Sequence, residues 1–175
     1  MTAIKRNWGI IGMLLIAALL LLPTTQAVAK TVKYKIIAPL TRVEWIAVPD
    51  VERHSVALYE RRGVVIYENG ETAVYHTRGT ADNIKGLGSF HGYSDIVLKD
   101  GSTQIFEYTG TTTLAPGEKQ RTMKGEGKYI KGTGRFEGIK GKASFNGKYV
   151  TPYTKDTTKG DAVIDVTATY KVPSK

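Results

Sequence analysis

From Asp161 to Val172 the sequence alternates: Ile164, Val166, Ala168, Tyr170 and Val172 fall on one face of an extended chain, and Asp165, Thr167, Thr169 and Lys171 on the other. A period of two describes a strand that buries one face. Shorter segments of the same kind recur at 32–37, 43–48, 56–61, 64–68, 72–77, 93–99, 103–111, 128–131 and 143–150. Between them stand turn signals: Pro49-Asp50, Asn69-Gly70, Asp100-Gly101, Pro116-Gly117 and Lys159-Gly160. No segment after the first 29 residues repeats at helical spacing. Strands returning at such short intervals predict an all-β chain, an antiparallel barrel closed by about eight strands or a sandwich.

The first 29 residues are of another kind. Lys5 and Arg6 precede an apolar run from Trp8 to Leu22, Pro23 ends it, and Ala27-Val28-Ala29 offers small residues for cleavage. Fifteen residues at 1.5 Å each span about 22 Å, short of the ~30 Å hydrocarbon core. The pattern predicts an export signal at 1–29, removed after Ala29, and a single β-barrel domain at 30–175 that is periplasmic or secreted, without stable membrane insertion. The chain has no Cys, so neither disulfides nor thiolate chemistry supports the fold.

Charge follows from the same division. The signal holds two of the 25 basic residues and none of the 16 acidic ones, so the mature 146 residues carry +7. The basic residues, Arg61 and Arg62 among them, are spread along the chain, which describes a solvated surface better than a nucleic-acid track. Nucleic acid is not an expected partner. An anionic envelope polymer on the basic surface is a further reading of the +7 charge.

Two hairpins can be worked out in register. A two-residue turn at Asp100-Gly101 pairs Val97 with Gln104, Asp95 with Phe106 and Tyr93 with Tyr108, and so puts Tyr93, Asp95, Val97, Gln104, Phe106 and Tyr108 on one face. It puts Glu107 on the other. The same rule at Asn69-Gly70 places Val64, Ile66, Ala73 and Tyr75 together and sets Glu68 against Glu71, an unfavourable pair that a longer loop would avoid. Both faces of these strands carry apolar residues. That predicts a covered outer face, and hence a homo-oligomer.

A nine-residue pattern, I-K-G-x-(G/A)-x-F-x-G, occurs at 84–92, 130–138 and 139–147. Glycines flanking a single Phe suit a coiled, closed sheet in which glycine permits bends and the Phe fills the barrel. It is not a phosphate cradle, because the spacing after Gly134 is one residue too long and no helix follows. The stretch Gly132-Thr133-Gly134-Arg135-Phe136-Glu137-Gly138-Ile139-Lys140-Gly141 resembles the late glycine-rich strand motif of the allene oxide cyclase and dirigent barrel superfamily. Gly86 to Gly92 resembles a weaker version. The resemblance implies an eight-stranded antiparallel barrel, allene oxide cyclase-like or lipocalin-like in form, often trimeric, with a hydrophobic cavity that binds or shapes an apolar small molecule. It supports fold rather than activity: the early strands show no motif match, and neither Glu52 nor Glu60 can stand for the cyclases' acid.

Chemistry is sparse. His54, His76 and His91 stand in no metal-binding spacing, no G-x-S-x-G is present, and no cofactor is implied. Asp95 and Glu107 are the carboxylates most embedded among apolar residues, where acid or base work could arise. Asp95 is the candidate catalytic residue. Trp45, Tyr67, His76, Tyr93, Asp95, Phe106 and Tyr108 are the candidate ligand-binding set, an aromatic lining with two polar groups for a mostly apolar small molecule. A cyclase or isomerase that shapes a reactive substrate in that cavity is the alternative to a binding protein.

Overall fold

The computed structural model describes residues 28–151 and 160–174. The expected signal, but for its last two residues, lies outside them. Nine strands run in order: β1 (Lys30–Ala38), β2 (Leu40–Ala47), β3 (His54–Tyr67), β4 (Thr72–Ile84), β5 (Leu87–Leu98), β6 (Thr103–Thr113), β7 (Thr122–Gly132), β8 (Lys140–Tyr149) and β9 (Ala162–Lys171). Each pairs antiparallel with the next from β2 to β9, β9 pairs with β1, and β1 returns to β3. The result is a closed eight-stranded antiparallel barrel with β2 as one extra strand. Among the described residues no helix is long and apolar enough to cross a membrane.

Closure is managed at Pro39. Proline gives no N–H to a ladder, and here it separates β1 from β2. β1 pairs with the second half of β3 (Tyr34 with Tyr67, Ile37 with Val64), and β2 with the first half (Leu40 with Arg61, Ala47 with Ser55). Arg62-Gly63 divides two expected strands in the sequence, yet β3 runs through it unbroken. Gly63 serves as a close approach: a Cβ there would strike the Ile37 carbonyl and the Pro39 ring.

Both hairpins differ from the two-residue expectation by one residue. The Tyr67 N–H donates to the Glu71 carbonyl and the Leu98 N–H to the Ser102 carbonyl, so the loops are Glu68-Asn69-Gly70 and Lys99-Asp100-Gly101. Asn69 Oδ1 accepts from the Glu71 N–H at 3.1 Å, and Asp100 Oδ1 from the Ser102 N–H at 2.9 Å. Gly70 and Gly101 take the left-handed position that such three-residue loops require (φ 83° and 80°). The longer loop removes the Glu68–Glu71 apposition. It also turns half of each hairpin over, since one residue of slip exchanges faces.

The repeat's aromatics fill the barrel by lying across glycines of the neighbouring strand. Phe90 covers Gly110 and Phe145 covers Gly125; a Cβ at either glycine would come within 3.0 Å of the ring and of backbone. The two rings are 6.2 Å apart and each packs on Tyr108. The middle copy differs. Its Phe136 sits on a one-turn 3₁₀ helix, Gly134–Phe136, and closes one end of the barrel against Tyr170 and Ile139. Outside, a row of Val163, Ile37, Val64, Val74 and Val97 runs across five paired strands, with Ile37, Val64 and Val74 44–45% exposed.

Because Gly125 has no room for a methyl group between Phe145 and the Thr109 carbonyl, Gly125→Ala is expected to destabilise the fold by about 1–3 kcal/mol, the usual cost of overpacking. Chemical denaturation followed by circular dichroism measures this. An unchanged midpoint would show that Phe145 is not seated there.

Candidate functional site

Around the cavity, β3 to β6 contribute the hydroxyls of Tyr59, Tyr75, Thr77, Ser94 and Tyr108, whereas β7, β8, β9 and β1 contribute the apolar side chains of Met123, Phe145, Ile164, Val166 and Ile36. Between the walls lies a cavity of about 50 Å³. It holds about four water-sized positions at ~10–15 Å³ each. Asn83, Thr112, Arg61, Arg121 and Tyr149 also line it.

The hydroxyls form a directed chain. Thr77 Oγ1 donates to the Tyr93 carbonyl at 3.1 Å and therefore accepts from the Tyr108 hydroxyl at 2.7 Å, which in turn accepts from the Tyr59 hydroxyl at 2.9 Å. Tyr59 is thus left with an acceptor oxygen. Beside the chain, Ser94 Oγ donates to the Tyr75 hydroxyl at 3.2 Å. Burial pushes Tyr59, Tyr75 and Tyr108 above the ordinary tyrosine value, with neighbouring phenols adding to the effect on Tyr59 and Tyr108. These groups stay protonated at neutral pH and serve as hydrogen-bonding partners, not bases.

Arg61 is the charged group of this interior, 5% exposed on β3. Its Nη1 donates to the Ala38 carbonyl at 2.9 Å and the Gly160 carbonyl at 2.7 Å, tying β3 to the end of β1 and the approach to β9. Its guanidinium lies 5.8 Å from the Tyr59 ring centre and 5.7 Å from that of Tyr149. Arg121, whose Nη1 donates to the Gly86 carbonyl at 3.0 Å, lies 5.5 Å from the same Tyr149 ring.

The sequence-derived set divides. Phe106 and Tyr108 line the cavity. Tyr67 points inward at the opposite end, its ring tilted against that of Tyr34 with centres 5.1 Å apart. Trp45 on β2 packs near the rim with the Leu40, Ala57, Tyr59 and Ala81 cluster. His76, Tyr93 and Asp95 face outward, because the one-residue slip turned Tyr93 and Asp95 away from Phe106 and Tyr108. There Arg78 donates to Asp95 at 3.3 Å and to His76 Nδ1 at 2.9 Å. Asp95 is therefore not placed to act on anything in the cavity. Glu107 also faces outward, on the same side as Asp95 and not the opposite one. It is bound by Lys128 at 2.9 Å and His91 at 3.1 Å, which hold its carboxyl below the usual range, Lys128 foremost.

Arg61 was missed as a site residue. Its signal was parity: Ala57, Tyr59, Arg61, Gly63 and Val65 share one side of a strand, and the alternation that buries Tyr59 and Val65 buries Arg61.

No family model matches the chain, and no curated protein matches it. Among solved structures it is similar to a pterocarpan synthase dirigent protein, at 16% identity and a TM-score of 0.46, over 84% of this chain and 88% of that one. The functional reading rests on this chain's own residues.

Buried tyrosines predict the alkaline limit of the fold. An unfolded tyrosine ionises near 10.0, whereas burial raises Tyr59, Tyr75 and Tyr108 and takes Tyr129 to about 12. Their neutral forms favour the folded state; that contribution is whole below pH 10 and is lost as pH rises through the folded values. Tyrosinate absorbance is expected to jump together with the loss of β-sheet circular dichroism. Smooth titration of all tyrosines in a folded protein would contradict the burial.

Proposed function

We propose that the barrel holds an apolar small molecule between its hydroxyl-rich and apolar walls. The lining carries this reading: a few fixed hydroxyls opposite a continuous apolar surface suit a ligand that is mostly hydrocarbon with one or two polar ends. The cavity accepts a small group as it stands. A larger one enters by turning Phe90 and Phe145, which are only partly buried, off their glycines. Holding is favoured over acid–base chemistry because the inward titratable groups among the described residues are protonated tyrosines and arginines. A shaping role toward a reactive substrate needs no more than this, since confinement alone lowers an entropic barrier.

Export and self-association complete the proposal. The segment before Lys30 is removed on export to the periplasm or exterior, and the outer row of Val163, Ile37, Val64, Val74 and Val97 is covered by a second copy of the chain. Such a row is costly to leave in water, and Lys35 paired with Asp165 at its flank offers both signs of charge to a partner copy.

One experiment reads all three parts. Native mass spectrometry of the protein purified from its own host is expected to give a chain starting at Lys30, a multiple of that mass, and an added apolar mass released on denaturation. An intact Met1 overturns export, a monomer at micromolar concentration overturns self-association, and an empty barrel whose lining gives no shift with added apolar compounds overturns ligand holding.

A further inference from the structure

We infer that the ligand carries an anionic oxygen group, a carboxylate, and that Arg61 is the residue that receives it; the inference rests on the cavity-binding reading above. A guanidinium cannot shed its charge, and a buried cation is costly unless it is paired. Arg61 is buried, yet no carboxylate among the described residues lies within ion-pair distance of it. Its polar contacts are two carbonyls, and both go to Nη1. Nη1 has two hydrogens, so both are used. Nε–H and the two hydrogens of Nη2 have no acceptor among the described residues. That edge presents two parallel N–H groups, the fork that matches the two oxygens of a carboxylate.

Two further features point the same way. Arg61 lines the cavity, so the group that completes it can come from a cavity ligand. Arg121 lines the same cavity, and the two guanidiniums approach one ring, that of Tyr149, from 5.7 and 5.5 Å. Both cationic side chains thus border the space that an anionic ligand would enter. A ligand with its carboxylate at Arg61 lays its hydrocarbon part along Ile164, Val166 and Phe145.

The test compares hexanoate with 1-hexanol, matched in chain and different in charge, by titration against wild type, Arg61→Met and Arg61→Lys. Wild type is expected to bind hexanoate at least about tenfold more tightly than hexanol, the scale of a charge-assisted hydrogen-bonded pair. Arg61→Met should lose that preference while still binding hexanol, and Arg61→Lys should keep part of it. Equal binding of both compounds to wild type overturns the anion site and leaves the cavity reading standing; binding of neither overturns both. Because Arg61 also ties the barrel seam, Arg61→Met could fail to fold. The side-chain Nε–H resonance of Arg61 in the wild-type protein then decides: a shift with hexanoate and none with hexanol supports the site, and no shift with hexanoate overturns it.

Discussion

Closure of the sheet between β1 and β3 is the constraint on which the rest of this structure depends. An open eight-stranded sheet would expose two long edges; here β1 seals one onto the other over four residue pairs, Tyr34–Tyr67 to Ile37–Val64. The seal is short because Pro39 ends β1 as a ladder partner and directs the chain outward as β2. Where β1 departs, the Ala38 carbonyl is left facing the interior, and the Gly160 carbonyl lies nearby. Arg61 Nη1 satisfies both. A long side chain with several donors fills that gap and brings a charge into the barrel.

A closed barrel of eight strands has an interior that side chains can fill, so whether a cavity survives depends on how they interlock. In this chain large rings alternate with glycines across neighbouring strands: Tyr59 over Gly79, Tyr108 over Gly92, Phe90 over Gly110, Phe145 over Gly125. Each ring lies flat in the space that a Cβ would occupy. The packing is therefore dense against the walls and thin along the axis, which is where the cavity runs. At the far end the rings of Tyr129 and Phe136 each meet that of Tyr170 edge-on, and Tyr34 joins the same cluster.

How much of this could be read from sequence depends on which physical quantity carried the information. Alternation from Ile164 to Tyr170 specified β9 and its buried face without help, because a period of two leaves no second solution. Glycine-flanked Phe90 and Phe145 pointed correctly to a closed, filled sheet. The hairpins were another matter: Asn69-Gly70 and Asp100-Gly101 suit a two-residue turn and a three-residue loop alike, and the choice was made by the Glu68–Glu71 repulsion and by side-chain oxygens bonding to Glu71 and Ser102. That single residue decided whether Tyr93 and Asp95 joined Phe106 and Tyr108 inside, and they do not. β4, β5 and β7 ran longer than expected because their extensions are interrupted by glycines, Gly79, Gly88, Gly92, Gly125 and Gly127, which look like loops until neighbouring strands and rings pack against them.

Arg61 joins the barrel's seam to its cavity through one group. Its Nη1 serves the seam, and its other edge faces the ligand space, so an anion bound there stabilises the same guanidinium that closes the barrel. Binding and folding are then linked in one direction: a ligand that selects the closed barrel shifts the folding equilibrium by an amount set by its concentration relative to its dissociation constant. Neutralising the buried charge lowers the cost of keeping it out of water, which the two carbonyls and the rings of Tyr59 and Tyr149 only partly offset. The hydroxyl chain from Tyr59 to Thr77 adds nothing to that charge balance, since burial keeps each phenol neutral. In the proposed site the guanidinium would fix a ligand's charged end, and shape its remaining length, without any group that must gain or lose a proton.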